Sequence, residues 1–112
     1  VQTDTVSVDE RFGKEYAGEY VFQEITRIKR LRIIKKYTKY SAQTGSVVDS
    51  DIAAIDAETI WASLKEQPEN KPITLERLLS EGEDGLPNRL TSLFAKTVNE
   101  LNGISPEEIK KS

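Results

Sequence analysis

The chain has 112 residues, one domain's length, and carries 16 basic against 19 acidic side chains for a net charge of −3. It contains no cysteine and no histidine, which excludes disulfides, thiolate metal sites, the usual zinc ligand and the commonest general base. No apolar run approaches the roughly 18 residues of a membrane span, and no signal-peptide-like segment opens the chain, so a cytoplasmic protein that is not secreted is expected. The first residue is Val1 and Met is absent throughout, so the start reads as processed or trimmed.

Residues 1–5 are polar. Val6–Val8 and Glu19–Ile25 both alternate, the second placing Tyr20, Phe22 and Glu24 on one face and Val21, Gln23 and Ile25 on the other. Gly13 and Gly18 between the runs supply turn chemistry. The pattern predicts a β-hairpin or two short strands, which need helices or another chain to pack on.

Thr26 is an N-cap candidate for the stretch Arg27–Tyr40, in which seven of fourteen residues are Lys or Arg and none is acidic. Outside it, nine basic side chains face all 19 acidic ones, a net of −10. On a helical wheel Ile33, Ile34, Tyr37 and Tyr40 gather, with Leu31 at one margin. Lys29, Arg32, Lys35, Lys36 and Lys39 gather opposite, predicting an amphipathic helix with a basic back over 27–40. Ser41–Ser50 reads as a loop of about ten residues, long for a compact domain.

Asp49, Ser50 and Asp51 offer caps for a helix from about Ile52 to Gln67. Its large apolar residues, Ile52, Ile55, Ile60, Trp61 and Leu64, make no single stripe. The helix is therefore buried on two sides or breaks near Asp56–Thr59. Pro68 ends it, and Thr74 caps a short helix through Leu75, Leu78 and Leu79. Pro87 suits the first position of the next helix. There Leu90, Leu93, Phe94, Val98 and Leu101 follow at helical spacing, each worth roughly 1.5–3 kcal/mol on burial. Gly103 fits a helix C′ position, and Ser105–Glu108 forms a capping box that opens a last helix.

These elements predict a single domain over 1–112: a polar arm and β-hairpin at 1–25, then a helical region at 26–112. The fold class is mainly α, a small helical domain of four to five helices with a short N-terminal β-hairpin.

Without His or Cys, catalysis would fall to carboxylates. The acidic groups Asp49 with Asp51, and Glu81 with Glu83 and Asp84, match no Ca²⁺ loop and read as caps and solvated loop charge. The dispersed glycines form no phosphate loop. The expectation is a protein that is not an enzyme and takes no cofactor or metal. The candidate partner-binding residues are Lys29, Arg32, Lys35, Lys36 and Lys39 with Tyr37, Tyr40 and Trp61. Trp61 reads as a core or half-buried anchor, or as an interface hot spot. Tyr37 and Tyr40 read as core, or as stacking platforms for bases. The basic face reads as a solvated helix side, a protein-docking face, a nucleic-acid grip or a membrane-surface helix. Five phosphate contacts would give a salt slope of about −4.5, but the net −10 elsewhere repels a polyanion.

Gly18–Lys39, a strand ending in an aromatic and a Glu followed by Ile-Thr and a charged helix, resembles the opening of tail assembly chaperones of long-tailed phages and proviruses. Leu86–Glu108 is similar to their C-terminal helix, which often closes on an Asn-rich turn and a Ser-Pro-Glu start. Together the two stretches cover about 45 of the 112 residues; the middle region, with Trp61, matches no quoted pattern. The resemblance implies a small, mostly helical viral protein that self-associates, coats the tape measure protein and recruits tail tube subunits. It implies no catalytic residues and points to the first and C-terminal helices as contact surfaces. Some members are made with a frameshifted extension. A chain that stops in a freshly started helix suits the shorter form, and equally a trimmed chain. The alternatives are a nucleic-acid-associated or regulatory adaptor using the basic helix 27–40, and a structural virion component.

Overall fold

The computed structural model describes residues 2–103. The expected hairpin forms from β1 (Thr3–Val8) and β2 (Gly18–Gln23), antiparallel from Thr3 opposite Gln23 to Val8 opposite Gly18. Two single-turn 3₁₀ helices, Glu10–Phe12 and Lys14–Tyr16, make the connection. Asp9 caps the first by accepting from the Arg11 amide at 2.9 Å. Alternation puts Val6, Val8, Tyr20 and Phe22 on one face, and all four are buried.

Thr26 caps α1 (Arg27–Lys36) through a bond from the Lys29 amide to its Oγ1. Then β3 (Thr38–Tyr40) and β4 (Val47–Ser50) form a second, two-stranded antiparallel sheet. Asp51 caps α2 (Ile52–Ser63), its carboxylate accepting from the Ala54 amide at 3.1 Å. β5 (Leu64–Glu66) follows at once and pairs antiparallel with the free edge of β2, giving the strand order β1-β2-β5. Thr74 caps α3 (Leu75–Leu79) as its position predicts. The last described element is α4 (Asn88–Leu101), with Pro87 at its cap one position ahead of the expected N1 and Gly103 at C′ with φ 69°.

α4 covers the apolar face of the three-stranded sheet. Leu90, Phe94 and Val98, spaced four apart, are fully buried. The Phe94 ring packs tilted on Tyr20 and Phe22, with centroids 4.8 and 5.2 Å away, in the range where aromatic pairs add to plain area burial. Ile60 of α2 and Ile73 join this cluster. Ile33 of α1 and Ala54, Ile55 and Ala57 of α2 are buried outside it. α2 is thus buried on two sides and runs unbroken through Asp56–Thr59.

The mainly α expectation is overturned. Four α-helices share the described chain with five strands in two sheets, a small α+β fold. The predicted helix 27–40 stops at Lys36, because Tyr37 takes the C-cap and Thr38 turns its hydroxyl back to the Ile34 carbonyl at 2.6 Å. β-Branched and aromatic residues on either side of Gly45 then favour strands. The predicted loop accordingly holds β4, and Gly45 (φ 72°) makes its tight turn. The predicted helix 52–67 loses its last turn to β5. The expected last helix from Ser105 lies outside the described residues. Among the described residues no helix is long and apolar enough to cross a membrane.

Candidate functional site

The stretch Arg27–Tyr40 does not form one basic face. Lys36 turns toward α2 and donates from Nζ to Glu58 Oε1 at 2.7 Å, and the Tyr37 hydroxyl donates to the same oxygen at 2.9 Å. The Glu58 side chain is only 14% exposed. Burial pushes its carboxyl up, but the bonds from Lys36 and Tyr37, with the charges of Lys36 and Lys29, outweigh burial and hold it below the ordinary glutamate value. Tyr37 is raised, by burial first and then by its bond to Glu58. Lys39 lies on β3, where it pairs with Asp49 across the ladder. Lys29, Arg32 and Lys35 are exposed on α1.

The expected wheel sets Ile33 on the inner side and Lys29, Arg32 and Lys35 on the outer side, as found, but it gives no place to Ile28. Ile33 is buried, yet Ile28 is 59% and Leu31 46% exposed. With Arg32 and Lys35 they occupy positions i, i+3, i+4 and i+7, one face of α1 turned to solvent. The helical period alone places Leu31 at a margin and gives Ile28 no partner on the inner side. Three exposed apolar side chains cap the second sheet: Tyr40, paired with Val47, and the neighbouring Val48. Every residue from Ala42 to Asp49 is exposed, so this two-stranded arm projects from the body. Its base is closed by the Asp51 amide donating to the Tyr37 carbonyl at 2.9 Å. Trp61, on α2, stands 38% exposed, one of the exposed large apolar side chains of the described residues.

Of the acidic residues, Asp49, Asp51 and Asp84 have structural duties, while Glu81 and Glu83 are exposed. Asp49 accepts from the Ser50 amide and Asp51 caps α2. Asp84 accepts from Ser80 Oγ at 2.5 Å, which lowers its carboxyl further than nearby Arg77 does. Arg77 closes the loop after α3 by donating to the carbonyls of Asp84 and Pro72 and to the Tyr16 hydroxyl. Among the described residues, no group of three or more carboxylates converges to hold a metal ion.

One site was missed in the sequence. A cavity of about 230 Å³ opens between α2, α3 and the start of α4, and the half-buried carboxyl of Asp56 is its sole ionisable lining group. Burial raises the Asp56 carboxyl above its ordinary value. The available signal was an acid set at i+3 and i−1 from Ala53 and Ala57 on a helix that is otherwise apolar on two sides.

Compared with known proteins, the chain matches no family model, no curated protein and no solved structure.

Proposed function

We propose that this chain is a non-enzymatic protein-binding module of the cytoplasm, and most concretely a tail assembly chaperone that coats a tape measure protein and recruits tail tube subunits. The single observation behind the binding role is the outward face of α1. Ile28 and Leu31 stand one turn apart, 59% and 46% exposed, with Arg32 and Lys35 following on the same side of the helix. Apolar side chains grouped in a charged rim are what a helix-in-groove or helix-on-helix contact uses. The arm adds Tyr40, Val47 and Val48 as a second apolar surface on strands with unpaired edges. The chaperone identity rests on the resemblance of Gly18–Lys39 and Leu86–Glu108 alone. The mostly helical fold that this resemblance implies is not the one observed.

The test is suppression of aggregation of a tape measure fragment from a long-tailed phage. The wild-type chain is expected to keep the fragment in solution. The double variant Ile28→Asp, Leu31→Asp is expected to melt like the wild type and lose that capacity. Wild type that leaves the fragment insoluble would remove the chaperone reading. Titration with single- and double-stranded DNA at two salt concentrations separates the nucleic-acid alternative. Salt-sensitive binding there, lost on neutralising Arg32 and Lys35, would replace the protein partner by a polyanion.

A further inference from the structure

The cavity beside Asp56 lies on the side of α2 turned away from Glu58, so it is separate from the α1 surface and independent of the function proposed above. Its walls are short or branched aliphatics: Ala53 and Ala57 from α2, Leu78 from α3 and Leu86 from the following loop. Among the described residues, the Asp56 carboxylate has neither an ion-pair partner nor a side-chain hydrogen bond. Glu58 is occupied by Lys36 and Tyr37, Asp51 by the Ala54 amide and Asp84 by Ser80, whereas Glu81 and Glu83 are exposed to solvent. A half-buried carboxylate without a partner, set beside aliphatic side chains and the polar Asn88 and Thr91, favours the approach of a cation.

The rest of the lining narrows the ligand. The Thr91 hydroxyl lies within donating reach of the Asn88 carbonyl at 3.1 Å and the Pro87 carbonyl at 3.4 Å, which leaves its oxygen to accept from a ligand. A ligand that supplies N–H donors satisfies both this oxygen and Asp56. At about 230 Å³ the cavity is below the roughly 300–1,000 Å³ of cofactor and drug-sized sites. It has room for a short methylene stem with a charged head. We propose that this cavity binds an alkylammonium or alkylguanidinium group, the head on Asp56 and the stem along Ala53, Ala57 and Leu78. The source of that chemistry is a lysine or arginine side chain of another protein, or a small free amine. The first turn of α4 also opens here, and its amide dipoles would suit an anion instead; the test includes that competitor.

The test is an amide NMR titration of the whole chain with n-butylammonium and n-butylguanidinium chloride, against n-butanol and sodium butyrate at matched ionic strength. Saturable shifts are expected at Ala53–Ala57 and Thr91 with the two cations only. Asp56→Asn should weaken them ~10-fold or more, the loss expected of a charge-assisted bond. Thr91→Val, which leaves the carboxylate in place, should weaken them less. Either variant is first checked by thermal melting, so that two independent substitutions carry the result. Saturation by butyrate in place of the cations would overturn the proposal. So would shifts spread linearly over the acidic surface, or cation binding unchanged in Asp56→Asn. Nα-acetyl-lysine methylamide distinguishes the sources. Binding as tight as butylammonium supports a side chain offered by a protein, whereas binding by the free amine alone supports a small-molecule ligand.

Discussion

The backbone amide of Ile25 donates to the side-chain oxygen of Asn102 at 2.9 Å, joining the end of β2 to the end of α4 across 77 residues. The same side chain donates from Nδ2 to the Val98 carbonyl at 2.8 Å and lies 3.4 Å from Ser63 Oγ at the end of α2. One amide thus satisfies the ends of three elements. Asn102→Ala leaves the Ile25 N–H without that acceptor, at a cost of roughly 1–3 kcal/mol. Urea unfolding should show the lower midpoint, and Asn102→Asp, which keeps the acceptor but loses the donor, should recover part of it.

Glu58 gives a pH dependence of definite sign. Its carboxyl is held below the ordinary value of 4.5, so the folded state binds the proton less readily than the unfolded one. The stability it contributes is fully present above pH 4.5 and lost as pH falls through the folded value. Glu58→Gln should therefore lower the melting temperature at pH 7, and the deficit should shrink below pH 4.5. Tyr37→Phe removes one of the two donors and should cost ~1 kcal/mol, read from denaturant unfolding at neutral pH.

Asp56 has the opposite sign. Its carboxyl is raised above 3.8, so its favourable contribution is complete below pH 3.8 and is lost as pH rises through the folded value. Asp56→Asn is expected to melt higher than the wild type at pH 7 and to match it below pH 3.8. Equal melting at both pH values would show that the carboxylate carries no burial cost.

Gly18 tests a close approach. Its φ is 139°, and a Cβ there would sit 2.5 Å from Cγ of Pro68. Gly18→Ala must move β2 or the chain after β5 while holding a backbone conformation that disfavours L side chains, at roughly 1–3 kcal/mol. Adding Pro68→Ala should relieve the clash but not the φ cost, so a partial rescue in a double-mutant cycle is expected.

What the sequence made legible was local. The four-residue spacing of Leu90, Phe94 and Val98, the alternation of Tyr20 and Phe22, and the caps Thr26, Asp51 and Thr74 all lie where they were read. Each depends on neighbours within one or two turns. β5 was not readable, because three residues carry no measurable alternation and their partner β2 lies about 40 residues earlier in the chain. The end of α1 failed for a related reason. Tyr37 and Tyr40 continue a helical wheel, and only the Thr38 bond to Ile34 and the pairing with β4 end it. The outward Ile28 and Leu31 and the Asp56 cavity depend on which sides of α1 and α2 meet the rest, and no period encodes that.

The order β1-β2-β5 has a consequence for synthesis. β2 is made early beside β1, but its other edge stays open until β5, after α2, has been translated. Its apolar face stays bare longer still, until α4 delivers Phe94 to Tyr20 and Phe22. A nascent chain that pauses within the Ser41–Ser46 turn or α2 therefore displays an unpaired strand edge beside uncovered aromatics, the combination that seeds aggregation on crowded ribosomes.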